Sequence, residues 1–426
     1  MKCRIPPEHR DNFKNLYWDI TWFGVSAASA MAFLAVYAAR LHATPIQIGF
    51  ISAGPAVISL IFTLPAGWWL QHRKTGHAVF WMSIFHRIFY VFLIFIPLLS
   101  VHRQVELIIW LVLAMSIPGT ALAVGFNALF AETVPPDCRG HVVGIRNALF
   151  AGAFIVVSLA SGRILDDLPF PAGYQIVFAI GAIGAAMSSR HLRKIIPPEM
   201  RPSYIPEAIG DVAWPGMVRL LIDGLRLNGA QRFLARPSRL IRAELLRGYY
   251  GRLMASIFVI HTALFLAVPL FPVHWVKNLG LRDGQIALGT AIFYLSVLAG
   301  SSMLSYLVAK LGNRNVSSMG ILFMGTYPAL MGASSGMGLF LGASALGGFG
   351  WSLVGGALTN YVLEKIPDHD RPAHLAWYNL AMNAGLLAGS LLGPAIASSI
   401  GVVPALMLFS IARLGSAAYL LSLRQT

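Results

Sequence analysis

The sequence predicts an all-α polytopic membrane protein with twelve transmembrane helices in two pseudo-symmetric six-helix bundles. Three observations predict it. The 426 residues are 57% hydrophobic and only 12% charged, about half the charged share that covers a soluble globular surface. Apolar runs long enough to cross a bilayer as helices recur from end to end. Those runs divide as six, a polar basic stretch, and six. A soluble enzyme, a secreted disulfide scaffold and a disordered chain are excluded by the same arithmetic. β-Barrel spans are short and alternating, and these runs do not alternate.

In order, the first six spans are expected at 17–40, 46–70, 78–100, 106–131, 143–163 and 172–190. The second six are expected at 252–276, 284–309, 315–335, 338–363, 373–399 and 403–423. The domains are therefore an N-terminal bundle over 1–190, a linker over 191–251 and a C-terminal bundle over 252–426. The linker mixes arginines with leucines, as in Arg239, Leu240, Ile241, Arg242, Leu245, Leu246 and Arg247. That pattern suits amphipathic helices on an anionic membrane surface, and equally a solvated connector.

The net charge of +15 reads as positive-inside bias rather than as nucleic-acid affinity. With the N-terminus inside, 25 of the 32 Lys and Arg fall in the cytoplasm and five outside, while Arg87 and Arg413 lie within helices. Both termini are thus expected in the cytoplasm, in what the sequence suggests is a bacterial inner membrane. Cys3 and Cys138 fall on the cytoplasmic side, where no disulfide is expected. No cleavable signal peptide is expected, because the first apolar run is long enough to span.

The halves carry an internal repeat. After the fourth span the chain reads AETVPPDCRGHVVGIRN, and after the tenth LEKIPDHDRPAHLAWYN. Glu132, Pro135, Arg139 and Asn147 recur 232 residues later as Glu364, Pro367, Arg371 and Asn379. A weaker echo joins the loop from Gly67, with Arg73 and Lys74, to the loop from Ser305, with Lys310, Gly312 and Arg314.

With these motifs the chain resembles the major facilitator superfamily of secondary transporters, over nearly its whole length. The resemblance implies two parallel repeats, a solute site near the midplane between the halves, and alternating access by rocking of one half against the other. The family's loop after the second span reads Gly-x-Leu-x-Asp-Arg-x-Gly-Arg-Arg. Here Gly67, Arg73 and Lys74 remain, while Gln71 stands at the acidic place and Ala309 does so in the second copy. The cytoplasmic gate expected on this basis comprises Gly67, Arg73, Glu132, Arg139, Arg146, Lys310, Arg314, Glu364 and Arg371. Glu132 and Arg139 both oppose the helix dipoles near them, so the pair is expected to compensate itself and to latch the outward-facing state. An exposed loop pair of little energetic consequence is the plain alternative.

Ionisable groups inside spans are costly and usually functional. Among the acids only Asp19 lies in an apolar run, near its start. Asp19 and His261 are the candidates for a coupling proton, histidine because its pKa lies near neutrality. Packing against arginines or a helix end is the alternative for each. Arg87, His86 and Arg413 read as bonds to neighbouring helices, with anion binding by Arg87 or Arg413 as the sharper possibility. The cavity candidates are Trp22, Ser26, Asn127, His261, Tyr294, Trp351, Asn379 and Asn383, with Tyr378 beside them. An aromatic wall with a few amides suits a neutral or amphipathic solute, although such residues also hold spans together. Gly385, Gly389 and Gly393 on the eleventh span, and Gly347, Gly348, Gly350, Gly355 and Gly356 on the tenth, mark either moving or closely packed helices.

There is no P-loop, HExxH, CxxC or GxSxG, so neither an enzyme nor a cofactor or metal site is expected. The expected partners are a small-molecule substrate, membrane lipids including anionic headgroups, and a proton, with no nucleic acid and a monomeric state. The function read from the sequence is secondary transport of a small organic solute. An exporter or flippase of lipophilic molecules is the rival within transport, although the fifth span lacks the Gly-Pro-rich signature of drug antiporters. A non-transporting membrane assembly or sensor protein is the rival outside it.

Overall fold

In a computed structural model the described residues are 10–71, 73–196, 243–367 and 371–423. Residues 197–242 of the expected linker lie outside the described residues. Among those described, the chain is helical and no strand occurs. The helices are α1 (Arg10–Arg40), α2 (Pro45–Gln71), α3 (Thr75–Phe95), α4 (Val101–Thr133), α5 (Pro136–Asp167) and α6 (Ala172–Leu192). They continue with α7 (Gly248–Asn278), α8 (283–311), α9 (313–333), α10 (Met337–Leu363), α11 (Arg371–Ile400) and α12 (Val402–Ser422).

Among the described residues eleven helical spans, with α8 and α9 counted as one, are long and apolar enough to cross a membrane, and large apolar side chains such as Trp110, Val156 and Ile411 remain exposed on the outside. An exposed apolar surface of this extent is the lipid-facing belt of an integral membrane protein. The junction of α8 and α9 has no loop. Gly312 turns the backbone there at φ +77°, a conformation that costs a side-chain-bearing residue.

The helices start earlier than the apolar runs. α1 is already helical at the first described residue, Arg10, rather than from 17, and α5 starts at Pro136 rather than 143. Polar residues at a helix end are tolerated outside the hydrocarbon, so hydropathy underestimates length. The consequence is that Asp19 and Arg146 lie nine and ten residues inside their helices, roughly 14–15 Å along the axis at 1.5 Å per residue.

Within the N-terminal half, α1 packs on α5 and α6, α2 on α4, and α3 on α4 and α6. Within the C-terminal half, α10 packs on α8 and α9, α7 on α11, and α12 on α7 and α9. The glycines of α11 are close-packing positions: a Cβ at Gly385, Gly389 or Gly393 would run into the α7 backbone at Phe258, Thr262 or Leu266. Small residues let helix backbones approach in this way where no hydrophobic effect drives association.

The halves meet where α5 crosses α8 and α2 crosses α11. At Gly162 a Cβ would strike Ala287 and Gly284, and at Gly49 it would strike Ser390 and Pro394. Both crossings lie toward the end opposite the chain termini. Cys138 is disulfide-bonded, contrary to the sequence expectation, and Cys3 lies outside the described residues.

Candidate functional site

Each half of the bundle holds a cavity among the described residues. The first, of about 520 Å³, is lined by α1, α2, α3 and α4, with Arg146 of α5 and Leu192 of α6. Its wall is apolar, from Phe23, Met31, Val112, Met115, Leu122 and Phe126. Its polar end holds Asp19, Arg87 and Arg146.

These three charges are buried together. Asp19 is 4% exposed, Arg87 7% and Arg146 8%. Arg146 Nη2 lies 3.4 Å from Asp19 Oδ2, and Arg87 Nη2 lies 3.7 Å from Asp19 Oδ1. Ser188 Oγ donates to Asp19 Oδ1 at 2.5 Å. Arg146 also donates to the Leu16 carbonyl at 2.6 Å and lies over the Phe126 ring at 4.7 Å. Arg87 Nη1 donates to Ser189 Oγ at 2.9 Å, and Ser83 Oγ bonds the same hydroxyl at 3.0 Å. Charge-assisted hydrogen bonds are usually 2.7–2.9 Å long. The carboxylate is thus held between two guanidinium groups without gripping either. Sequence periodicity missed the association because the participants come from α1, α3, α5 and α6.

The second cavity, of about 320 Å³, lies between α7, α8, α9 and α10 and is mostly aromatic: Phe265, Phe271, Trp275, Phe293, Tyr327 and Trp351 line it. Tyr294 lines it too and stacks on Phe154 of α5, with ring centroids 3.9 Å apart, so this cavity reaches the seam between halves.

Arg413 borders the second cavity as a staple. It is 0% exposed. Nη1 donates to the Met324 carbonyl at 2.7 Å, Nε to the Ala263 carbonyl at 3.1 Å, and Nη2 to the Leu264 carbonyl. Met324 lies four residues before Pro328, which has no N–H to bond it. Ala263 and Leu264 lie in the last turn of the first segment of α7, which breaks after Leu266. The guanidinium satisfies carbonyls that a proline and a helix break leave without partners.

The other expected cavity residues are placed individually. Trp351 and Tyr294 line the second cavity. Asn127 and Asn379 are exposed, on α4 and α11. Asn379 donates to the Leu375 carbonyl and Asn383 to the Asn379 carbonyl, each within its own helix. His261 Nδ1 donates to the Ile257 carbonyl of its own turn, and its Cβ packs against Gly385. Ser26 is buried where α1 meets Gly184 of α6, and the Trp22 carbonyl meets the same glycine. Tyr378 bonds Thr359 across α11 and α10 at 3.1 Å. The first cavity gathers only Asp19 from the expected cavity and coupling residues; the histidine beside it is His86, which donates through Nδ1 to the Met115 carbonyl.

The gate residues differ from expectation in a consistent way. Arg139 folds back on the C-terminal end of α4, donating to the Ala131 carbonyl at 2.8 Å and the Val134 carbonyl at 3.2 Å. Glu132 accepts from Thr75 Oγ1 at 3.0 Å, at the N-terminal end of α3. Each charge therefore meets the helix end that its sign favours, and neither needs the other. The second half repeats the acid's arrangement: Glu364 accepts from Asn313 Nδ2 at 2.5 Å, at the start of α9. Arg314 donates to the Leu420 carbonyl at 3.3 Å and to that of Leu421, at the end of α12. Arg73 is exposed over the Trp69 ring, Lys310 is exposed, and Gly67 has open space at its Cα. Arg146 lies in the buried cluster instead of at the helix end. The Arg371 side chain lies outside the described residues, so the expected Glu364–Arg371 pair does as well.

A polar clasp that sequence reading missed joins the halves at the end opposite the termini. Arg40 of α1 donates to the Leu281 carbonyl at 2.6 Å and pairs with Asp283 at 3.1 Å. Tyr174 of α6 donates to the same Asp283 oxygen at 2.9 Å. Asp166 accepts the Gly284 N–H at 3.0 Å, which places an anion at the start of α8. Lys277 reaches the Ala43 carbonyl at 3.4 Å. In the sequence these residues look like ordinary loop or span-end side chains, and only their distance across the seam distinguishes them.

Comparison with known proteins gives the same architecture. The family model described as Major Facilitator Superfamily matches residues 20–243 and 253–425. The quinolone resistance protein NorA of Staphylococcus aureus is 25% identical over 169 residues, 39% of this chain. The chain spans only 42% of that relative's length in the match. Among solved structures, a POT family transporter in complex with a thioalcohol-conjugated peptide superposes with a TM-score of 0.70 at 12% identity, covering 96% of this chain and 95% of that one. The nucleoside transporter NupG superposes with a TM-score of 0.65 at 12% identity, covering 97% and 100%. At these identities the likeness is one of fold.

Proposed function

Because the chain belongs to the Major Facilitator Superfamily, we propose that it is a secondary transporter that moves a small organic solute across a bacterial inner membrane by alternating access. The single observation that carries the reading is the seam: a solute-sized cavity in each half, with the halves clasped, among the described residues, by Arg40, Asp283, Tyr174 and Asp166 at the end opposite the chain termini. A clasp of partly buried ion pairs and hydrogen bonds is the kind of bistable contact that a rocking motion can break and remake. The positive-inside bias puts the chain termini in the cytoplasm and the clasp outside. This conformation is then the inward-facing one. Asp19 is the coupling-proton candidate that geometry favours over His261, because it borders a cavity whereas His261 bonds the Ile257 carbonyl of its own turn.

Export of lipophilic molecules is the second reading. It is favoured by the aromatic wall of the second cavity and by the partial match to a quinolone resistance protein.

The test is a thermal-shift screen of the purified chain, followed by flux of each hit in proteoliposomes. A ligand that binds only the folded state stabilises it by about 2.7 kcal/mol at a hundredfold excess over Kd. Saturable flux of a polar hit is the expected result. Hits confined to lipophiles would favour export. A hit that binds without any flux would overturn transport in favour of a sensor or assembly role.

A further inference from the structure

We infer that the first cavity binds an amphipathic organic monoanion, an acid with an apolar body whose carboxylate or sulfonate docks at Arg87 and Arg146. The inference rests on the transport reading for its purpose and on local geometry for its chemistry.

Charge balance comes first. Two guanidinium groups share one carboxylate at the polar end, which leaves one positive charge uncompensated beside a largely apolar wall. Buried charges are costly unless paired, so this end favours a single added negative charge. It disfavours a cation, and it disfavours a dianion, which would leave the site net negative.

Vacant donors come second. Arg87 Nε is buried and has no hydrogen-bond partner. Its Nη2 sits 3.7 Å from Asp19, beyond the range of a good charge-assisted bond. A planar acid group matches a guanidinium edge through two parallel bonds, and the Nε–Nη2 edge of Arg87 has one donor without a partner and one 3.7 Å from its nearest carboxylate oxygen. Arg413, which is buried more completely, differs in this respect: all three of its nitrogens donate to backbone carbonyls. Burial of an arginine in this fold therefore does not by itself leave a donor open.

The shape of the cavity comes third. Its volume of about 520 Å³ falls in the range of small-molecule sites. The wall beyond the charges comes from Phe23, Val112, Met115, Leu122 and Phe126. Aromatic and thioether surface suits a ring system or a short acyl chain rather than a polyol.

The role of Asp19 gives the inference a specific sign. Its carboxylate competes with the ligand for both arginines. Neutralising it should tighten anion binding, whereas a purely structural Asp19 would weaken any binding once replaced.

The test uses the purified full chain in a maltoside detergent, titrated calorimetrically with 2-naphthoate, decanoate and the neutral twin 2-naphthamide. At least one of the two acids should bind at a single saturable site, at least about tenfold more tightly than the amide, since a hydrogen bond to a charged group is worth about that factor or more. Arg87→Gln should weaken acid binding about tenfold and leave the amide unchanged, with Arg87→Lys recovering part of the loss. Asp19→Asn should tighten acid binding several-fold. Thermal melts of each variant separate loss of fold from loss of site. Equal affinity for acid and amide, absence of binding by both acids, or weaker acid binding in a folded Asp19→Asn chain would each overturn the inference. The transport reading is judged separately, by flux of the thermal-shift hits. An acid site that fails while another solute is moved sinks only the ligand class.

Discussion

Asp283→Asn should shift the chain toward the conformation in which the end opposite the termini is open. The Asp283 side chain is 11% exposed, and its carboxylate accepts from Arg40 Nη2 at 3.1 Å and Tyr174 Oη at 2.9 Å. Hydrogen bonds to a charged group are worth about 1.5–3 kcal/mol each. The Arg40 side chain is 25% exposed, so solvent screens part of its share, and asparagine retains one weaker acceptor. A net loss of about 2 kcal/mol from the closed state follows, which is roughly a 30-fold change in the equilibrium between conformations. The assay places spin labels at Ile46→Cys on α2 and Ile400→Cys on α11, in a Cys3→Ser/Cys138→Ser background. Both positions are exposed at that end. The distance distribution should acquire a longer component in Asp283→Asn. Arg163→Gln is the control: it breaks the exposed Arg163–Asp167 pair within α5 and should change nothing. An unchanged distribution in Asp283→Asn, from a folded protein, would refute the assignment of the clasp as a gate.

Three further outcomes follow from the same structure. Arg413→Met should destabilise the C-terminal half by about 3 kcal/mol or more, because the carbonyls of Met324, Ala263 and Leu264 each lose a donor; a melting temperature equal to wild type would contradict it. Gly389→Val should lower the melting temperature by an amount corresponding to about 1–3 kcal/mol, the cost of overpacking, since a side chain there meets the Thr262 carbonyl of α7. Arg139→Gln should cost about 1 kcal/mol by uncapping α4. It should also leave the spin-label distances unchanged, because the side chain bonds its own half; a changed distribution would restore the latch between halves.

Much of the fold was legible because a bilayer imposes a length and a composition on every span. Twelve runs, their division into two sixes and the repeat around Glu132 and Glu364 need only hydropathy and spacing. The same reasoning misplaced Asp19 and Arg146 because helices outrun their apolar cores. The partners of Glu132 and Arg139 differ from the expected pairing for a related reason. A dipole argument made along one helix does not see that Thr75 or Asn313, from a neighbouring helix, supplies the favourable end for the acid.

By itself, the sequence determined that this chain spans a membrane as an all-helical, duplicated protein, because burying backbone in hydrocarbon leaves helices as the solution to runs of that length. Tertiary structure decided which charges act together. Asp19, Arg87 and Arg146 come from three helices, and Arg40, Tyr174 and Asp283 from two halves. Charges in a low-dielectric interior couple strongly over a few ångströms, and those distances are set by helix packing rather than by position along the chain.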